Sequence, residues 1–274
     1  MRLAWPDSTL TAVGFSRCRA LACMVLLFGI GVSNTARSAD ELNTKTLEEK
    51  WSSAISNDRT DLLESMLGAY VKEQSDPLEL LQTDAPNGKS ALMVAAKQGD
   101  LVLVKHMVKL GASINEVTLT GGTPFMFAVL GNHVEVAKWL ETKGADINAK
   151  GSNGWSAATI AGAKGQADML RWLIDAGADI NAPDVYRFTP LMRAVDNQHV
   201  ESVQVLLTMG GANVDFKDES GNSALHFAAA NKLRLVVQML LAHGADPMHA
   251  NRDGITPNDV AKQHPTLIDL FTGK

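Results

Sequence analysis

Histidine is the residue type in this chain that could best support metal or acid–base chemistry. Seven histidines occur among its 274 residues. His243 and His249 lie six positions apart, a spacing that matches no zinc-binding pattern. The sequence has no G-x-S-x-G nucleophile elbow and no glycine-rich phosphate loop after a strand. We therefore predict that the chain is not an enzyme and holds no cofactor and no metal. A metal-dependent enzyme that uses the histidines is the least favoured alternative.

Cysteine chemistry is confined to the first 39 residues, which contain both Cys18 and Cys23. Arginines precede an apolar run from Ala20 to Val32, and small residues follow it. This order is typical of a secretory signal peptide, and the run is shorter than the roughly 20 residues that cross a bilayer. We expect a signal peptide at residues 1–39, cleaved between Ser38 and Ala39 or after Ala39. An uncleaved membrane anchor and a start downstream of Met1 are the alternatives.

Removal of such a leader leaves a chain without cysteine. A chain of this kind suits an oxidising compartment, because no thiol can mispair. We therefore expect a periplasmic or secreted protein. The remaining chain has 21 basic and 29 acidic residues and a net charge of −8, which argues against nonspecific nucleic-acid binding. We expect no nucleic-acid partner and, after cleavage, no contact with a membrane.

A repeat of 33 residues organises the rest of the chain. Gly88, Gly121 and Gly154 follow this spacing, and the tetrads SALM, TPFM and SAAT come just after them. The pattern continues as TPLM at 189–192, SALH at 223–226 and TPND at 256–259. Serine or threonine at the start of a tetrad can cap a helix, and proline suits the next position. Each unit therefore predicts a first helix of small residues, an apolar second helix and a projecting turn.

This pattern resembles the ankyrin repeat, whose T-P-L-H-x-A and G-A-D-x-N elements recur over roughly residues 84–264. The resemblance implies an all-α repeat solenoid of helix-turn-helix units with projecting β-turns. We predict an N-terminal capping repeat and linker at 40–83, five internal repeats at 84–250 and a C-terminal capping repeat at 251–274. Histidine is common in such repeats at the shared position of His133 and His199, which favours a structural role for both.

The resemblance also implies which side chains meet a partner, because ankyrin arrays usually bind through the turn tips and the exposed ends of the first helices. In the middle units several of these positions hold apolar side chains. We call this set the central patch: Leu119, Leu130, Trp155, Val185, Tyr186 and Phe188. Basic residues are predicted to surround it, namely Lys89, Lys97, Lys150, Lys164, Arg187 and Lys217. An aromatic centre with a basic rim is typical of an interface. Alternatively, Trp155 and Phe188 only cover each other and the neighbouring helix starts.

We therefore expect a monomer that binds another protein through its concave face and turn tips, as a scaffold or inhibitor rather than a catalyst. Exported bacterial ankyrin proteins suggest two narrower functions. One is an accessory factor that stabilises a periplasmic enzyme. The alternative is an immunity protein that occludes a toxic effector enzyme of the lipase or nuclease class.

Overall fold

The computed structural model describes residues 47–73 and 76–271, and the predicted signal peptide lies outside them. All regular secondary structure in these residues is helical, which confirms the predicted all-α repeat solenoid. The helices are α1 (47–56), α2 (Thr60–Lys72), α3 (Pro77–Leu81), α4 (Ala91–Gln98), α5 (Leu101–Lys109), α6 (Pro124–Leu130), α7 (Val134–Thr142), α8 (Ala157–Lys164), α9 (Ala167–Asp175), α10 (Pro190–Asp196), α11 (Val200–Thr208), α12 (Ala224–Ala230), α13 (Arg234–Ala242), α14 (Pro257–Lys262) and α15 (Ile268–Phe271).

The helices form seven units. Unit 1 contains α1 and α2, units 2 to 6 contain the successive pairs from α4–α5 to α12–α13, and unit 7 contains α14 and α15. First helices pack on first helices along the array, from α4 to α14, and second helices pack on second helices from α5 to α13. The apolar side of both layers makes one continuous core, in which each second helix of units 2 to 6 contributes a buried leucine: Leu103, Leu140, Leu173, Leu206 and Leu240.

Capping residues determine where the first helices begin. The Thr123 hydroxyl accepts a hydrogen bond from the N–H of Met126 at 3.2 Å, and the Thr189 hydroxyl accepts one from the N–H of Met192 at 3.3 Å. A proline follows the cap in α6, α10 and α14, where the helix needs no backbone donor. The turn tip of each unit ends at such a cap, so the caps fix the tips relative to the helix layer.

Two of the histidines hold consecutive units together. Gly99 and Gly165 end α4 and α8 with φ of +80° and +73°. A Cβ atom on Gly99 would lie 2.3 Å from Nδ1 of His133, and one on Gly165 would lie 2.6 Å from Nδ1 of His199. Nε2 of His199 also lies 3.1 Å from the carbonyl oxygen of Ala163. Each imidazole therefore packs on a glycine of the preceding unit, which is a structural role.

The N-terminal end contains a buried tryptophan and one helix more than a single helix pair. Trp51 is fully buried between the helices of this end. The predicted linker contains a helix, α3, which begins where Asp76 accepts a hydrogen bond from the N–H of Leu78 at 3.0 Å. Leu80 and Leu81 of α3 are buried. The segment between units 1 and 2 is therefore part of the packed array.

The C-terminal end is closed by the short helix α15. Leu267, just before it, is fully buried, and Arg234 of α13 forms an ion pair with Asp269 of α15. The apolar residues after 259 thus cover α14, the first helix of the last unit, as a capping unit must.

Candidate functional site: a protein-interaction surface

The turn tips of units 2 to 5 form one connected ridge. Three backbone hydrogen bonds of 2.8 to 3.1 Å join neighbouring tips: from the N–H of Leu119 to the carbonyl of Asn87, from Ser152 to Thr120 and from Val185 to Asn153. Between units 5 and 6 a side chain makes the connection, since Nε of Arg187 donates to the carbonyl oxygen of Lys217 at 3.2 Å. The tips are therefore held in register, and side chains on successive tips lie side by side.

The tips of the middle units carry large apolar side chains into solvent. Leu119 is 79% exposed, Tyr186 is 60% exposed and Val185 is 50% exposed. Leu130, at the end of α6, is half-buried. Isolated exposed apolar residues are ordinary, whereas large contiguous apolar patches are typical of interaction surfaces. The structure thus places Leu119, Val185 and Tyr186 where the sequence analysis expected them, on the exposed tips.

Trp155 and Phe188 are half-buried beside an arginine. The guanidinium of Arg193 lies 5.4 Å from the ring centroid of Trp155 and 4.3 Å from that of Phe188. The centroid of Phe188 lies 5.1 Å from that of Phe227 in the next unit. Such cation–π and aromatic contacts restrict the rings. The Trp155 ring therefore packs on Arg193 of the next unit, while its side chain is still partly accessible.

A buried carboxylate holds this arginine in place. Oδ2 of Asp184 accepts a hydrogen bond from Nε of Arg193 at 3.0 Å, and Oδ1 accepts the backbone N–H groups of Tyr186 and Phe188 at 2.9 Å each. The Asp184 side chain is fully buried. One carboxylate therefore fixes both the shape of the unit 5 tip and the arginine that contacts Trp155.

Sequence reasoning missed Arg193 and Asp184. Arg193 occupies the fifth position counted from the capping residue, where the other units have apolar side chains: Val94, Phe127, Ile160, Phe227 and Val260. A lone arginine in an otherwise apolar position was the available signal. A polar residue at such a position needs a partner, and Asp184 lies nine residues earlier in the same unit.

Two of the predicted rim lysines have a different role. Lys89 is buried, with 10% of its side chain exposed, and its Nζ lies 2.9 Å from Oδ1 of Asp58. Lys97 binds the other carboxylate oxygen of Asp58 at 2.6 Å. Both were predicted to surround the central patch, and unit 1 places the carboxylate of Asp58 against them, so each is paired within the array. Lys150, Lys164 and Arg187 are exposed, as the rim requires.

A pair of partly buried carboxyl groups lies near the same end of the array. Burial, followed by the charge of Glu116, raises the pKa of Asp84 to about 6. Burial also raises the pKa of Glu116. Oδ1 of Asp84 is buried and has no hydrogen-bond partner among the described residues. No group of three or more metal-ligating side chains occurs in the part of the chain that the structure describes.

Comparison with known proteins identifies the class of this array. The family profile described as "Ankyrin repeats (3 copies)" matches residues 51–151, 92–184 and 158–251. These matches overlap and together span more than half of the chain. The chain therefore belongs to the ankyrin-repeat family. Ankyrin repeats mediate protein–protein binding, so the chain is a protein–protein interaction module.

Individual relatives share parts of this array. The chain is 46% identical over 68 residues to the 2-5A-dependent ribonuclease of Homo sapiens, which is 24% of this chain and 9% of the relative. It is 41% identical over 86 residues to the B-cell lymphoma 3 protein homolog of Mus musculus, which is 31% of this chain and 19% of the relative. The chain thus spans less than a fifth of either protein, and neither activity is carried over.

A solved structure matches a larger share. The crystal structure of EF0377, an ankyrin repeat protein, is similar with a TM-score of 0.61 and 31% sequence identity, over 67% of this chain and 96% of that chain. Among the described residues, no helix has the length and apolar character needed to cross a membrane.

Proposed function

We propose that this protein binds one specific protein partner through the central patch, and that it acts as an exported accessory factor that stabilises a periplasmic enzyme. The observation that carries the binding proposal is the ridge of joined turn tips bearing Leu119, Val185 and Tyr186, which are 50% to 79% exposed. Leu119 lies in unit 3 and Val185 and Tyr186 lie in unit 5, and Trp155 of unit 4 lies between them, with its ring centroid 5.4 Å from the guanidinium of Arg193. Clustered aromatic and apolar side chains that are already ordered lose little entropy on binding.

Contact at the patch can be tested by site-specific photo-crosslinking. A photoreactive amino acid at Tyr186 should cross-link a single partner in cells. Leu235 on α13 provides a matched control, because it is 56% exposed against 60% for Tyr186 but lies in the second-helix layer. Equal cross-linking of the same partner at both positions would contradict binding through the patch.

The affinity of the identified partner then tests Trp155. We expect Trp155→Ala to weaken partner binding by about 2 kcal/mol or more, roughly thirtyfold. The free energy of unfolding should fall by no more than about 1 kcal/mol, because the ring is only half-buried. A large loss of stability with unchanged partner affinity would show that Trp155 serves the stack alone.

The same complex separates the accessory factor from an immunity protein. If the partner is an enzyme, it should keep its activity and gain thermal stability when bound. Loss of activity that is restored by Trp155→Ala would instead favour the immunity function.

Export has its own test: the mature protein should begin at Ala39 or Asp40 by mass spectrometry, and an intact Met1 in a cytoplasmic fraction would contradict it.

A further inference from the structure

The charges around the central patch indicate the chemistry of what binds there. Resting on the proposed function, we propose that the partner contacts the patch with an acidic protein segment that presents an apolar or aromatic anchor. The unpaired cations of this array, the positions of its carboxylates and the side chains that the tips expose support this partner.

Some cations of the second-helix layer have carboxylate partners on their own surface, whereas Lys105, Lys109 and Lys143 form no ion pair with another described residue. Nζ of Lys138 lies 3.0 Å from Oε1 of Glu135. Arg171 contacts both Asp168 at 2.5 Å and Glu201 at 3.0 Å. These exposed pairs contribute little stability, but they leave this layer with no excess of positive charge.

The turn tips and first helices also expose cations without a carboxylate partner. Lys150, Lys164 and Lys217 are exposed, and none forms an ion pair with another described residue. Two carboxylates of the same layer are already engaged. Asp184 binds Arg193, and Oδ1 of Asp218 accepts the N–H groups of its own turn at 2.8 Å.

The two layers therefore carry opposite net charge. Turns and first helices of units 3 to 6 are the segments 117–133, 150–166, 183–199 and 217–233, and they expose Lys150, Lys164, Arg187, Lys217 and Lys232 against Asp196 and Glu219. The intervening segments 134–149, 167–182 and 200–216 contain eight acidic and three basic residues. A surface of net +3 on a chain of net −5 attracts an anionic partner and orients its approach.

The apolar tips decide which anionic partner fits. A polyanion that meets this surface through its phosphates would neutralise the lysines but would leave Leu119, Val185 and Tyr186 exposed. A protein segment with carboxylates flanking a large apolar side chain satisfies both features. Interfaces commonly combine such a desolvated anchor with a charged rim.

Peptide selection on the purified protein tests this inference. A phage-displayed library of random linear and disulfide-constrained peptides would be selected on the parent protein and on Trp155→Ala. We expect peptides retained only by the parent, with aspartate or glutamate flanking an aromatic or leucine side chain. Their binding, measured by fluorescence anisotropy, should weaken as salt increases.

Charge reversal supplies the matched comparison. Combined Lys150→Glu, Lys164→Glu and Lys217→Glu should weaken the selected peptides by at least about tenfold. Combined Lys72→Glu, Lys105→Glu and Lys109→Glu makes the same change in net charge at exposed positions of α2 and α5. This control should change affinity by less than about twofold, and thermal unfolding of both triple variants verifies that they fold.

The outcomes separate the inference from the function on which it rests. Peptides that need Trp155 but show no enrichment in acidic residues would overturn the acidic partner and leave binding at the patch intact. Failure to select any peptide that needs Trp155 would overturn both. Equal weakening by the two charge reversals, or an oligonucleotide bound as tightly as the peptides, would also overturn the acidic protein segment.

Discussion

One position of the repeat holds Lys89 in unit 2, Trp155 in unit 4 and Phe188 in unit 5. In unit 2 the lysine is buried, and together with Lys97 it binds Asp58. In units 4 and 5 the aromatic rings are half-buried against Arg193 and partly accessible. The repeat register determines where a side chain leaves the backbone, but the neighbouring unit determines whether it serves the stack or faces solvent.

The contrast separates an end that is closed by ion pairs from a middle that is held by apolar packing. Asp58 has φ of +54° at the end of α1, which directs its carboxylate toward two lysines of the next unit. Burial alone would raise the pKa of Asp58, but hydrogen bonds from Lys89 and Lys97 outweigh it and lower the pKa. The boundary between units 1 and 2 therefore contains a partly buried ion pair, whereas the ion pair of Arg171 with Glu201 between units 4 and 5 is exposed.

The largest effect should come from the central core. Leu173 of α9 is fully buried, and Leu173→Ala should reduce the free energy of unfolding by about 2–5 kcal/mol. Leu67 of α2 is equally buried, and Leu67→Ala at the end of the array provides the comparison. Hydrogen exchange should show protection lost on both sides of unit 4 for the first variant and near unit 1 for the second. Equal patterns would contradict a nearest-neighbour array.

The separation of interacting residues along the chain determines how much of this architecture the sequence could predict. The capping residues Thr123 and Thr189 act on helices that begin next to them, so the tetrads predicted the first helices correctly. Helix α3 was missed, because its apolar residues are covered by tertiary packing at a position where the 33-residue period is broken. The pairing of Lys89 with Asp58 was missed because 31 residues separate them along the chain.

The second prediction removes the ion pairs of Asp58 at the boundary between units 1 and 2. Asp58→Asn keeps a residue type that tolerates positive φ and removes the charge that Lys89 needs, so the free energy of unfolding should fall by about 1–3 kcal/mol. Chemical denaturation should show unit 1 detaching first. Asp61→Asn is the control, since Asp61 pairs with Arg59 on an exposed surface, and it should change stability by less than about 0.5 kcal/mol.

The third prediction uses pH. Asp84 has a pKa raised to about 6, so between roughly pH 4 and 6 the folded protein binds a proton that the unfolded chain releases, and stability falls as pH rises. Asp58 has the opposite sign, because its lowered pKa gives stability that is lost as pH falls. Asp84→Asn should raise stability at neutral pH by about 1 kcal/mol and should have no effect near pH 4.

Thermal unfolding as a function of pH measures this difference. Asp175→Asn, at an exposed position of α9, is the control and should change the free energy of unfolding by less than about 0.5 kcal/mol. A variant Asp84→Asn that is destabilised equally at all pH values would show that the carboxyl group is needed for packing and that its titration is not coupled to folding.

The smallest effect on stability should come from the most exposed tip. Leu119 is 79% exposed and Val102 on α5 is 76% exposed, so replacing either by serine should change the free energy of unfolding by less than about 0.5 kcal/mol. The two should differ in binding: Leu119→Ser should weaken the partner by about 1 kcal/mol, because Leu119 joins the ridge of tips, and Val102→Ser should leave it unchanged. Calorimetric titration of both variants with the partner identified by cross-linking measures the two affinities. Equal losses for both would mean that exposed apolar area anywhere on the array attracts the partner, and the tips of units 3 to 5 would have no special part in binding.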